Sequence, residues 1–405
     1  MDNPKLNHLH QYPFERLAQL KNDLTGNSDY NHISLSIGEP RNQPPEIIYR
    51  NLLDRELLKK DIGSYPKVRG EDFLREAISS WISLRFNIKV DPSTQILPVL
   101  GTREALFSVA QALLSGSSRG KVLLPNPFYQ IYEGAALLAN AQPCYIPSTP
   151  ENDYIPNFEE IDKRTWKHCE LLYLCSPGNP TGKNISIDTL CFILEKAHEY
   201  DFLIAADECY SEIYYGDPPA SLLEAAKKMG DETFKRCLIF HSLSKRSNLP
   251  GLRSGFVAGD QQLIEAYLKY RTYHGCAMPL HHQRVSADVW ADEEHVRANR
   301  KSYNEKFDAV TPIIETVADV VMPEGGFYHW LKTPFDDQKF AKELFTNCNI
   351  TVLPGSFLGR EANLDGSDGG NRVNPGRNHV RIAWVDEPKI CIAAANRIAD
   401  WWRRL

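Results

Sequence analysis

The sequence predicts an α/β fold: a mostly parallel sheet covered on both faces by helices, with a smaller α+β unit behind it. Three observations carry this. Short apolar runs alternate with longer amphipathic stretches, the pattern of strands and covering helices. Several runs, such as Phe202-Leu203-Ile204-Ala205-Ala206, are continuously apolar, as strands buried on both faces require. Beyond residue 290 the character changes to a charged helical stretch followed by scattered short runs.

Candidate strands lie at 95–100, 121–124, 171–175, 202–206, 237–240 and 254–258, with helical patterns at 103–114, 187–200 and 262–270 between them. Together they define a large unit over residues 45–289. The charged helical stretch 294–318 leads to runs at 320–323, 326–330, 350–353 and 379–384, and a helix over 390–405 closes the chain. These make a small unit over 290–405, which the N-terminal arm, residues 1–44, joins in part. The segment 359–379 is rich in Gly, Asn and Asp without any period, which marks a functional or mobile loop.

Composition narrows the function. The 405 residues suit two units rather than one small core. Lys and Arg number 46 against 52 Asp and Glu, a net charge of −6 that offers no electrostatic footprint for nucleic acid or anionic lipid. No apolar run approaches the roughly 18–20 residues that span a bilayer, and the N-terminus lacks the basic-then-apolar pattern of a secretory signal. Nine cysteines, an odd number with no Cys-x-x-Cys, read as reduced thiols in a cytoplasmic protein rather than as disulfides or a zinc site.

The chemistry-bearing segments follow the ends of candidate strands, where open parallel sheets place ligands. Leu100-Gly101-Thr102-Arg103 turns tightly into a helix, whose first N–H groups suit an anion, although such a junction also serves as a plain turn. Ser176-Pro177-Gly178-Asn179-Pro180-Thr181-Gly182 is a rigid turn in which Asn179 either bonds its own backbone or offers its amide to a ligand. Asp207 ends a buried run, where a carboxylate is costly unless paired. It either caps the next helix or holds a cation or protonated ring nitrogen, with Tyr210 close by. In the segment from His241 to Arg253, Ser242, Ser244, Lys245 and Arg253 combine hydroxyls, an amine and a guanidinium. They suit an anion site beside an amine nucleophile, or a basic surface loop.

In this order the four segments resemble the fold-type I pyridoxal-phosphate enzymes of the aspartate aminotransferase family, from Ser36-Ile37-Gly38-Glu39-Pro40 to Arg381. The resemblance implies a large domain with a mostly parallel, mixed seven-stranded sheet, pyridoxal 5'-phosphate as cofactor, small amino- and keto-acid substrates, and a homodimer with shared sites. It further implies that Lys245 forms the Schiff base with the cofactor and shuttles the substrate proton. Asp207 would hold the ring nitrogen, with Asn179 and Tyr210 on the ring 3-oxygen and Tyr129 stacked on the ring. Gly101, Thr102, Arg103, Ser242, Ser244 and Arg253 match the phosphate cup, and Tyr65 the tyrosine that reaches the partner's phosphate. Arg381 matches the clamp on the substrate α-carboxylate, with Gly38 allowing the arm to approach it.

The arm residues Tyr12-Pro13-Phe14-Glu15-Arg16-Leu17 and the loop with Pro354-Gly355-Ser356-Phe357 and Arg360 are similar to N-succinyldiaminopimelate aminotransferases. That points to succinyldiaminopimelate transaminase activity (EC 2.6.1.17) in lysine biosynthesis. The alternatives are an aspartate, alanine or aromatic aminotransferase, or a C–S β-lyase on the same scaffold. Arg271, or an arginine near Arg284, is the candidate for a second substrate carboxylate. His281-His282 lacks ligand partners at metal spacing, Trp401-Trp402 reads as helix packing, and Cys209 as a small buried filler.

Overall fold

Continuously apolar strands need cover on both faces, and the central sheet receives it. The computed structural model describes residues 3–118, 120–363 and 372–405; residues 364–371, the middle of the polar loop expected at 359–379, lie outside the described residues. The arm supplies β1 (Ile33–Ser34). The sheet that follows is built from β2 (Ile96–Val99), β3 (Lys121–Asn126), β4 (Gln142–Pro147), β5 (Cys169–Cys175), β6 (Leu203–Asp207), β7 (Cys237–Ser242) and β8 (Gly255–Gly259). Its order is β2-β8-β7-β6-β5-β3-β4, with β8 antiparallel to both neighbours and the other pairs parallel.

Alternation along each strand divides the core in two. Leu172 and Leu174 of β5 pack with Ile204, Ala206 and Ile239 on one face. Leu171 and Tyr173 pack with Ala205, Leu238 and Phe240 on the other. β4 was not among the expected strands. Its prolines 143 and 147 mask the pattern, and they are tolerated because β4 lies at the sheet edge, where unpaired N–H groups are not needed.

The C-terminal part adds β9 (Tyr328–Lys332), β10 (Ile350–Thr351), β11 (Leu353–Pro354) and β12 (His379–Ala383). β11, β12 and β9 form an antiparallel sheet, and β10 pairs in parallel with β1, which ties the arm to this part. Helices Glu294–Ile314, Asp337–Cys348 and Pro388–Trp402 pack around Phe307, Phe340, Trp384 and Ile398. Phe340 meets Trp401 and Trp402 at ring distances of 5.1 and 4.7 Å, so that pair is packing, as expected.

The run at 320–323 is not a strand. Pro323 has no N–H to donate, and the following backbone bonds elsewhere: the Glu324 and Gly325 N–H groups donate to Gly182 O at 2.8 and 3.0 Å. The chain is thereby tied to the turn after β5. A second tie joins the loop after β11 to the large sheet. Arg360 makes a two-pronged ion pair with Glu133, at 2.8 and 2.6 Å, and exchanges hydrogen bonds with Asn126, while the Phe128 N–H donates to Leu358 O.

Leu172 is fully buried in β5 at the centre of the sheet. Leu172→Ala should lower unfolding free energy by about 2–5 kcal/mol in denaturant titration, the range for deleting a core leucine.

Candidate active site

The carboxyl ends of β2, β3, β5, β6 and β7 open onto one cavity of about 580 Å³. At one end, β2 gives way to Gly101 (φ +82°), the N-cap of helix Thr102–Leu113. A Cβ on Gly101 would run into the Arg253 guanidinium, so glycine lets this cation lie across the helix start. Arg253 is held by donations to Pro250 O (2.8 Å) and Leu100 O (3.3 Å). Beside it the Ser244 N–H donates to Ser242 Oγ at 3.1 Å, and Ser242 Oγ bonds Ser244 Oγ at 3.0 Å. A helix N-terminus, two hydroxyls and a guanidinium in one place suit an anion.

Asp207, at the end of β6, is buried. Burial pushes its carboxyl pKa up, opposed by hydrogen bonds from Tyr132 Oη (2.6 Å) and the Cys209 N–H (3.3 Å). Among the described residues no cationic side chain forms an ion pair with it. Cys209 is more than a filler: its Sγ lies 3.0 Å from Thr102 Oγ1 and it borders the cavity. The Tyr129 ring meets Tyr132 edge-on at 5.8 Å.

Lys245 follows β7 in a short helical turn and donates to Gly38 O at 2.5 Å. Burial draws its ammonium down to about 8 from 10.5, with the Arg381 charge acting the same way and Cys209, Glu39 and Asp207 opposing. Gly38 is glycine because a Cβ would collide with the Tyr328 hydroxyl.

Arg381, in β12, is buried. Its Nη1 donates to Asn179 Oδ1 at 2.8 Å and its Nη2 to Ser36 O at 2.7 Å, and the guanidinium lies 4.4 Å over the Tyr328 ring. Among the described residues Arg381 Nε has no hydrogen-bond partner. Because Asn179 accepts through Oδ1, its NH2 is left to donate elsewhere. Tyr210 and Tyr328 share a hydroxyl bond of 2.9 Å.

The cavity thus gathers Gly38, Thr102, Arg103, Tyr129, Asn179 and Asp207 with Tyr210, Ser242, Ser244, Lys245, Arg253 and Arg381. Gly101 stands behind Arg253, and Tyr65 lies outside the cavity, fully exposed. Sequence reasoning missed Tyr12, Phe14, Tyr132, Tyr328 and Leu358. Tyr12 and Phe14 carried a signal, since they sit in the arm segment already singled out. Arg271 and Arg284 are engaged elsewhere in this chain: Arg271 Nη1 pairs with both Glu104 oxygens at 2.8 Å, Arg284 pairs with Asp61 at 2.8 and 3.1 Å, and neither borders its cavity.

The lysine has a consequence for stability. Below pH 8, Lys245 is protonated in native and unfolded chains alike, and its burial is a full penalty. Between about pH 8 and 10.5 the native amine sheds its proton first, so the unfolded state binds more protons and stability rises with pH. Cofactor-free Lys245→Met should therefore be more stable than wild type at pH 7, by denaturant melts, with the difference shrinking by pH 10.

Residues 30–381 match the family model described as aminotransferase class I and II. An LL-diaminopimelate aminotransferase of Natranaerobius thermophilus is 31% identical over 366 residues, covering 88% of this chain and 91% of that protein. A crystal structure of an aminotransferase from Neisseria meningitidis Z2491 superimposes with a TM-score of 0.92 at 41% identity, covering 99% and 100% of the two chains. Aminotransferase AspB from Helicobacter pylori 26695 gives 0.88 at 34% identity, covering 98% and 100%. With its seven-stranded mixed sheet and its cavity at the strand ends, the chain belongs to the class I and II aminotransferases, the pyridoxal-phosphate-dependent family of aspartate aminotransferase.

Proposed function

We propose that the protein transfers the amino group of N-succinyl-LL-2,6-diaminopimelate to 2-oxoglutarate, giving N-succinyl-2-amino-6-oxopimelate and glutamate. The observation that carries this choice is where the subgroup-like segments end up. Tyr12 and Phe14 from the arm, and Leu358 next to Phe357, all border the cavity.

The residues present fit the cofactor. The Arg253 guanidinium occupies the space a Cβ on Gly101 would fill, beside two serine hydroxyls and a helix start, and this suits a phosphate. Asp207, buried and without a cationic partner among the described residues, suits a protonated ring nitrogen. When bound, pyridoxal phosphate supplies an electron sink for the substrate Cα. Ser242, Ser244, Thr102, Gly101 and Arg253 would hold its phosphate, Asn179 and Tyr210 its 3-oxygen, and Tyr129 its ring face. Lys245 anchors it and then moves the proton at the substrate Cα. A pKa near 8 keeps a useful fraction of free amine close to neutrality. Arg381 fixes the substrate α-carboxylate and so orients the Cα–H bond, while Tyr12 and Phe14 keep water out.

The working molecule in this reading is a cytoplasmic homodimer in which Tyr65, fully exposed here, reaches the partner's cavity. Residues 1–44 and 290–405 form a small domain against the large domain of 45–289. A second reading, with unacylated LL-diaminopimelate as donor, is favoured by what the curated relatives are called. The exposed Glu39 carboxylate on the cavity wall would meet its free ammonium.

A donor screen with 2-oxoglutarate tests the choice: kcat/KM for the succinylated donor should exceed that for LL-diaminopimelate, aspartate and alanine. Equal rates with LL-diaminopimelate favour the second reading, and pyruvate release from cystathionine without an acceptor would favour a lyase. Lys245→Ala should lose the yellow cofactor absorbance. Arg381→Ala should raise KM for amino and keto acids alike by roughly 100-fold, since one clamp serves both.

A further inference from the structure

Two phenols meet on the cavity wall. Tyr210 Oη and Tyr328 Oη lie 2.9 Å apart, both side chains are buried, and among the described residues neither hydroxyl has another hydrogen-bond partner. The pair holds two protons, so one fills this bond and the other is left to donate elsewhere. Tyr328 Oη lies where a Cβ on Gly38 would point, against carbon. Tyr210 Oη is thus the acceptor within its reach, and the spare proton is that of Tyr210. The ring of Tyr328 has a second neighbour, because the Arg381 guanidinium lies 4.4 Å over it.

We infer that Tyr328 is a positioning residue that ties the cofactor's 3-oxygen to the carboxylate clamp: its hydroxyl donates to Tyr210 and its ring carries Arg381. This deepens the aminotransferase reading above and rests on its placing of Tyr210 at the 3-oxygen. A Tyr210 hydroxyl that accepts from Tyr328 has its own proton free for that oxygen, and accepting makes it a stronger donor. A donor at the ionised 3-oxygen steadies the negative charge, which lowers the affinity of the neighbouring Lys245–cofactor nitrogen for a proton. A ring face beneath Arg381 steadies the guanidinium while leaving its N–H fork free for a planar carboxylate. Arg381 comes from β12 and Tyr328 from the adjacent β9, where Tyr328 is paired with Ala383. One side chain of the C-terminal part therefore touches both the residue that meets the cofactor and the one that meets the substrate. The two contacts ask for tyrosine here: phenylalanine would keep the ring and lose the donor, and leucine would lose both.

The absorbance of the holoenzyme, followed against pH, reads the hydroxyl. Tyr210→Phe should raise the pH at which the cofactor's colour changes, and Tyr328→Phe should raise it by about a tenth to a third as much. The double variant should match Tyr210→Phe alone, because Tyr328 acts there only through Tyr210. Glutarate, a carboxylate without an amino group, reads the ring. Its Kd, from the same absorbance, should stay within about twofold of wild type in Tyr328→Phe and weaken about tenfold in Tyr328→Leu. A general loosening of the fold would not separate the two readouts in this way. Tyr328→Phe without a shift, while Tyr210→Phe has one, overturns the inference and leaves the placing of Tyr210 standing. Shifts that add in the double variant overturn it too, as does a Tyr328→Leu enzyme that binds glutarate as wild type does. If Tyr210→Phe itself moves nothing, Tyr210 is not at the 3-oxygen, and that placing falls together with the inference.

Discussion

A guanidinium taken out of water must find acceptors, and the ones Arg381 finds organise the molecule. It projects from β12 in the C-terminal part, takes Asn179 from the turn after β5, and takes the Ser36 carbonyl from the arm. Three distant stretches of chain therefore meet on one cation. Leaving such a group half-satisfied would cost several kcal/mol, so strand, turn and arm are fixed relative to one another. The Arg381 Nε, without a partner among the described residues, leaves the cation with donor capacity to spare.

The parallel sheet supplies the other half of the arrangement. Parallel strands point their carboxyl ends the same way, and buried strands leave those ends as the first places where polar side chains are tolerated. Asp207, Asn179 and the Ser242–Lys245 segment then lie at or just beyond the ends of the adjacent strands β6, β5 and β7, without any long-range design. Low polarisability there weakens the charged forms of both Asp207 and Lys245, which raises one pKa and lowers the other. The two shifts narrow the gap between acid and base.

Much of this was legible in the chain because the groups involved sit at strand ends next to turn residues. Asp207 closes an apolar run, Asn179 lies between prolines, and Lys245 follows two serines. Tyr132 and Tyr328 were not legible. Their hydroxyls bond Asp207 and Tyr210, and a tyrosine inside a helix or strand looks the same whether it packs or donates. Arg271 misled for the converse reason: only the fold reveals that Glu104, far away in sequence, already holds it. The edge strand β4 was hidden by its prolines, and the run at 320–323 imitated a strand because apolar residues do not report where their backbone bonds go.

The tie between Arg360 and Glu133 decides which part of the molecule one wall of the cavity belongs to. Arg360 follows β11, yet its ion pair and its exchange with Asn126 bind it to the helix and strand of the large sheet. Leu358, two residues earlier, is bonded there too through Phe128. The wall at Leu358 therefore belongs to the frame of the large sheet, although the chain reaches it from the C-terminal part. Arg381 faces it across the cavity from β12, so the two sides of the mouth are held by different elements.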